Sequence, residues 1–230
     1  MKSSKVVSRI VTLTAALAAT AGFAFASGGG SGVSADEALQ RLLDGNKRFV
    51  ESKMTASALC DLPAREKLAT SQHPYAIILS CSDSRVPPEI IFDRALGEIF
   101  VVRVAGNVAD PIVLGSIEYA AEHLGSPLIM VLGHERCGAV TATVNAKGKP
   151  EGNVGAIIKA IEPSAKKAKK DCKGKPAAEV VECAVAVNAK AVAADLTKKS
   201  KVLAHQLKEG KIKIVSATYD LDDGKVTLLK

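Results

Sequence analysis

Three short apolar runs, YAIILSC (75–81), EIFVVRVAG (98–106) and SPLIMVLGH (126–134), constrain this chain more than any other feature. They are rich in Ile and Val, bounded by Pro or Gly, and continuous rather than alternating, so each is predicted to be a strand buried on both faces. Between the second and third lies DPIVLGSIEYAAEHLG (110–125), where Asp110 reads as an N-cap, Pro111 as the first helical position and Gly125 as the terminator. Strand, helix, strand at this spacing is a parallel βαβ unit. The expected fold class is α/β: a mainly parallel central β-sheet flanked by helices, with an N-terminal helical arm and a C-terminal strand pair.

The flanks fit that frame. Ser34-Ala35-Asp36-Glu37 matches a capping box, and Leu39, Leu42, Leu43, Phe49 and Val50 follow at helical spacing, giving an amphipathic helix over about 36–52. A second helix is expected over about 63–70. Residues 135–209 read as mainly helical, with breaks near 148–152 and 173–176. KIKIVSATYDLDDGKVTLLK (211–230) reads as a strand, an Asp-Asp-Gly turn and a last strand. With no repeat and no linker after Gly32, residues 34–230 are taken as one domain. Its core would be Val, Ile, Leu and Ala, since 47% of the chain is hydrophobic but only 3% aromatic.

Residues 1–26 have the form of a signal peptide: Lys2, Lys5 and Arg9, an uncharged run Ile10–Phe25, and Ala24-Phe25-Ala26 as the small-x-small cleavage pattern. The run falls short of the ~20 residues that span a bilayer and is interrupted by Thr14, Thr20 and Gly22, so no stable membrane insertion is expected. Residues 27–33 read as a flexible leader. The expectation is an exported protein, periplasmic or secreted after cleavage near Ala26. Cleavage would lower the net charge of +7 by those three basic residues. Much of the remaining excess lies in KKAKKDCKGK (166–175), which has no interleaved aromatics for base stacking and reads as a solvated helix end. No nucleic-acid partner is inferred.

Of five cysteines, Cys172 and Cys183 flank a Gly/Pro turn between two expected helices, where a disulfide is one option, and Cys60 has no assigned partner. Cys81 ends the first core strand, His134 ends the third, and Cys137 follows three residues later. Ligands gather at the carboxyl ends of strands in open α/β sheets, so these three can converge although Cys81 and His134 are 53 residues apart in sequence. Two thiolates and an imidazole suit tetrahedral zinc and leave a fourth position for water. A Cys81–Cys137 disulfide, or a pair of inert thiols, is the alternative. H-x-x-C alone is weak evidence, and C-x-D-x-R at the end of a neighbouring strand strengthens it.

Cys81-Ser82-Asp83-Ser84-Arg85 together with His134-Glu135-Arg136-Cys137-Gly138 resembles the paired zinc motifs of the β-class carbonic anhydrases. The similarity runs over about residues 36–145 and continues more loosely to the C-terminus. The resemblance implies one Zn2+ per chain on Cys81, His134 and Cys137, and reversible hydration of CO2 to bicarbonate by zinc-bound hydroxide. Asp83 and Arg85 would be the dyad that orients it, Arg85 keeping Asp83 ionised. Gln72, Phe100 and Tyr119 match the substrate-pocket positions of plant-like members. The resemblance also implies a homodimer or homotetramer, with the N-terminal helix lying across its partner.

Some members carry an inhibitory bicarbonate site. Val86 and Arg103 match two of its residues, but Ile78 and Ser80 stand where its Trp and Gly would be, so an open site without that switch is expected. Val104 replaces a common Asn. His73, His123 and His205 are assigned no role as proton shuttles. Two other functions fit the ligand set: hydrolysis of carbon disulfide or carbonyl sulfide, and a zinc-binding or redox protein without turnover. Asp83 and Arg85 favour catalysis over the second.

Overall fold

A computed structural model describes residues 30–56, 61–148, 150 and 152–230. The expected signal segment at 1–26 and Cys60 lie outside the described residues. The elements run α1 (Ala35–Val50), α2 (Leu62–Leu68), β1 (Ala76–Ser80), α3 (Pro88–Ile91), β2 (Ile99–Arg103), α4 (Pro111–Glu122), β3 (Leu128–His134), α5 (Gly138–Val144), α6 (Val154–Asp171), α7 (Ala177–Lys199), α8 (Lys201–Lys208), β4 (Lys213–Tyr219) and β5 (Val226–Leu228).

All three apolar runs are strands, in a sheet of order β2-β1-β3-β4-β5. β1 pairs in parallel with both β2 and β3, β3 pairs in parallel with β4, and only β5 runs antiparallel. Every residue of β1 and β3 is buried, as their continuous apolar character demands. β2 is an edge strand and only half buried, so its equally apolar sequence is not matched by cover within the chain.

The chain passes from β1 to β2 on one side and then to β3 on the other. A crevice therefore opens between the carboxyl ends of β1 and β3, the switch point where such sheets bind ligands. The helix signals carry through. Asp110 caps α4 by accepting from the N–H groups of Ile112 and Val113, and Gly125 ends it at φ +66°. Ser34 caps α1 through the Glu37 N–H.

α1 docks Ala38 and Leu42 into the core formed by Ile78, Phe92 and Met130 of its own chain, and Val33 of the expected leader packs beside them. The helical stretch after β3 breaks where Gly and Pro suggested, and once more at Ser200, whose hydroxyl caps α8 by accepting from the Leu203 N–H. Cys172 and Cys183 form a disulfide that ties the end of α6 to α7. Among the described residues no helix is long and apolar enough to cross a membrane.

Candidate metal centre

Cys81 leaves the carboxyl end of β1, His134 is the last residue of β3, and Cys137 immediately precedes α5. Because β1 and β3 are neighbours in register, Ser80 opposite Leu132, these three side chains meet at the switch point. Their ligand atoms all lie within 4.8 Å of one another, and the two Sγ atoms are 4.0 Å apart. All three residues are buried, His134 completely.

The histidine is aimed by its own backbone. Nδ1 lies 2.9 Å from the carbonyl oxygen of Glu135, which can only accept, so Nδ1 carries the proton and Nε2 presents a lone pair. Nε2 is buried with no hydrogen-bond partner. Leaving such an atom unmatched costs about 1–3 kcal/mol, and two facing sulfurs beside it make a soft cation the fitting partner. A Cys2His donor set of this kind suits zinc. The sulfurs titrate as a pair: the Cys137 thiol, His134 and the Gly106 N–H pull Cys81 down, whereas the Cys81 sulfur and burial push Cys137 up.

Asp83 sits at the mouth of this cluster, its Oδ2 3.9 Å from His134 Nε2. Arg85 grips it with two side-chain hydrogen bonds, and its backbone N–H adds a third at 3.0 Å. That grip holds the Asp83 carboxyl well below the usual carboxylate range.

Two supporting contacts were not legible from motifs. Arg103 at the end of β2 donates to the carbonyl oxygens of Cys81 and Asp83, at 3.0 and 2.6 Å, and so braces the loop between the cysteine and the dyad. Its guanidinium is thus engaged with backbone. Gly106, at φ +68°, donates its N–H to Cys81 Sγ at 3.3 Å, and its own carbonyl accepts from Asn188. A Cβ there would meet Ile161 Cδ1 at 2.5 Å. The glycine closing EIFVVRVAG was the available signal; its target was not. Val104, the departure from a common Asn, packs among apolar side chains.

The three expected pocket residues do not gather at the cysteines within one chain. Phe100 pairs with Ile77, four residues short of Cys81, which is roughly 13 Å along the strand. Tyr119 packs on Phe100 with ring centroids 6.4 Å apart, and the exposed Gln72 precedes β1 at the opposite end from Cys81. Parallel register fixes these levels, and register between strands leaves no trace in the local residue pattern.

A family model described as carbonic anhydrase matches residues 76–226. The chain is 40% identical over 194 residues to carbonic anhydrase 2 of Mycobacterium tuberculosis, covering 83% of this chain and 91% of that protein. It is 41% identical over 194 residues to the carbonic anhydrase of Mycolicibacterium smegmatis, with the same 83% and 91% coverage. Among solved structures it resembles the Coccomyxa β-carbonic anhydrase determined in complex with acetazolamide, with a TM-score of 0.69, 28% identity, and coverage of 83% of this chain and 86% of that one.

Proposed function

The chain belongs to the carbonic anhydrase family, in its β class, and from that premise we propose that it hydrates CO2 reversibly with one zinc ion held by Cys81, His134 and Cys137. The observation that carries the metal assignment is the buried, unpartnered His134 Nε2 facing two sulfurs. Bound there, zinc would supply a nucleophile at neutral pH by lowering the pKa of a water from ~15.7 towards ~7.

The remaining chemistry belongs to the chain. Asp83, ionised and fixed by Arg85, accepts a hydrogen bond from the attacking oxygen and so turns its lone pair to the carbon of CO2. Arg103 and Gly106 keep the loop and Cys81 in place. The product is bicarbonate, and the released proton passes to buffer, with no side chain assigned as its carrier.

For Gln72, Phe100 and Tyr119 to border the substrate, a neighbouring copy must bring them to the metal. The half-buried edge strand β2, with the exposed Ile112 and Tyr119 of α4, supports a homodimer as the minimal unit. We read the reaction as taking place outside the cytoplasm; the signal-like residues 1–26 and the Cys172–Cys183 disulfide, a bond of oxidising compartments, support that reading.

Stopped-flow CO2 hydration by protein of measured metal content tests this reading. One zinc per chain with hydration well above the buffer rate is expected. Zinc-loaded protein that leaves the rate at the buffer level would overturn it.

A further inference from the structure

The peptide unit joining Glu135 to Arg136 carries two hydrogen bonds that point in opposite directions. Its carbonyl oxygen accepts from His134 Nδ1 at 2.9 Å, and its N–H donates to Glu182 Oε1, also at 2.9 Å. A peptide is planar and stiff, so fixing one end orients the other. Glu182 lies on α7, a helix that packs against β3 and is tied to α6 by the disulfide at the very next residue, Cys183. The carboxylate therefore stands on a firm base.

The unit it holds needs holding. Arg136 has φ +51°, a left-handed conformation that a residue with a Cβ adopts at some cost. The Arg136 side chain is anchored separately, in two hydrogen bonds of 3.1 and 2.7 Å to Asp222 in the β4–β5 turn. Glu135 reaches the same turn, accepting from the Leu221 N–H at 3.2 Å. The two residues between the ligands His134 and Cys137 are thus moored to the β4–β5 turn by their side chains and to α7 by their shared peptide.

We propose that Glu182 is a positioning residue of the metal centre, acting on His134 through the 135–136 peptide. Metal-bound histidines commonly donate their outer N–H to a carboxylate, which fixes the ring and strengthens its donor nitrogen. Here the carboxylate stands one peptide farther out. An oxygen accepting from the N–H polarises the amide and makes the Glu135 carbonyl a better acceptor for Nδ1–H. The arrangement fixes the tautomer that leaves Nε2 free and holds the ring over the sulfurs. It also restrains the strained turn that delivers Cys137.

This inference rests on the zinc reading above, and its test separates the two. Zinc affinity is measured by chelator competition on full-length protein for wild type, Glu182→Ala, Glu182→Gln and, as a control one turn earlier on α7, Glu179→Ala. Thermal unfolding of each metal-free protein and the thiolate-to-metal absorption of each cobalt-substituted protein are recorded beside it.

Loss of the carboxylate in Glu182→Ala should weaken zinc binding about 10–100-fold and alter the cobalt spectrum. Glu182→Gln, which keeps an oxygen acceptor, should recover most of that loss, and Glu179→Ala should match wild type. Glu182→Ala binding zinc within about twofold of wild type would overturn the proposal, as would an equal loss in Glu182→Gln. A loss in Glu182→Ala matched by an equally lowered unfolding temperature in the metal-free protein and an unchanged cobalt spectrum would also overturn it. Failure of the wild type itself to bind zinc would remove the zinc reading and this inference together.

Discussion

Asp83 and Arg85 face each other across one intervening residue in a parallel fork, Nε to Oδ1 at 3.0 Å and Nη2 to Oδ2 at 2.8 Å. Asp83 is thereby both oriented and kept ionised far below neutral pH. Replacing it with alanine should lower kcat/KM by about 100-fold or more and leave zinc content unchanged. Arg85→Ala should act through the carboxylate: with the fork gone, the Asp83 pKa rises, and the acid limb of the pH–rate profile moves to higher pH. Superimposable profiles for wild type and Arg85→Ala would remove this role from the arginine.

Asp93 is the other carboxylate to which the fold commits strongly. Its side chain is fully buried and accepts from Arg48 Nε at 2.5 Å, from the N–H groups of Thr55 and Ala56, and from the Thr55 hydroxyl. Burial pushes its pKa up, but the Ala56 N–H, Arg48 and Thr55 outweigh it and bring it down to about 2. A pKa lower in the folded than in the unfolded chain stabilises above the unfolded value, near 3.9, and that contribution fades as pH falls towards 2. Asp93→Ala should cost about 3 kcal/mol near neutral pH by leaving Arg48 partly buried without its partner. Its urea midpoint should also fall less steeply than that of wild type between about pH 4 and pH 2. Parallel curves in that window would count against the assignment.

How legible this was depended on the range of the interaction. β1 and β3 could be read because burial on both faces leaves an unbroken apolar run, β2 because its run is equally apolar although it lies half buried at the sheet edge, and Asp110, Pro111 and Gly125 because capping is local. The convergence of Cys81, His134 and Cys137 could be read because strand ends converge by topology. Contacts that cross the chain left little local trace. Glu182 is one of several charged residues on the α6–α7 pair until α7 is docked on β3, and Arg103 looks like a residue for an anion until its two backbone acceptors are seen. Phe100 and Tyr119 pack on each other, but the register that sets their distance from Cys81 is a property of the assembled sheet.

Gly45 decides how closely α1 can lie on the body of the protein. A Cβ at this position would fall 1.8 Å from the carbonyl oxygen of Phe92, which is backbone and cannot swing aside. In an open helix, glycine to alanine gains about 1 kcal/mol. Here the forced displacement should cost more, since overpacking a tight contact commonly costs about 1–3 kcal/mol. Gly45→Ala is therefore expected to lower the denaturant midpoint, against the direction of helix propensity. A raised midpoint would show that α1 can shift without loss.

Removing the disulfide should destabilise the protein and spare the metal. Cys172 and Cys183 are 11 residues apart, and closing a loop of that size restricts the unfolded chain by about 3 kcal/mol. The Cys172→Ser/Cys183→Ser double variant is expected to lose roughly that much in urea unfolding while still binding one zinc. A variant as stable as wild type would mean that the packing of α6 against α7 holds the hairpin unaided.

The two sulfurs at the switch point give the last prediction: the ion proposed to bridge them is expected to keep them reduced. Their separation of 4.0 Å is about 2 Å longer than a disulfide bond, so a modest approach of the Cys81 loop to the start of α5 would join them. An ion bound to both uses the lone pairs that an oxidant would attack and fixes the sulfurs apart. Zinc at a thousand times its dissociation constant stabilises the folded state by about 4 kcal/mol, which for a chain of this size corresponds to roughly 10 °C in Tm. Stripping the metal with a chelator should lower Tm by about that amount. The stripped protein should then form a Cys81–Cys137 disulfide with oxidised glutathione, detectable by peptide mass mapping, whereas the zinc-loaded protein should keep both thiols. Reduction followed by zinc should restore the original Tm. Equal resistance to oxidation with and without zinc would mean that the protein frame alone holds the cysteines apart, and that their spacing is not maintained by a shared ion.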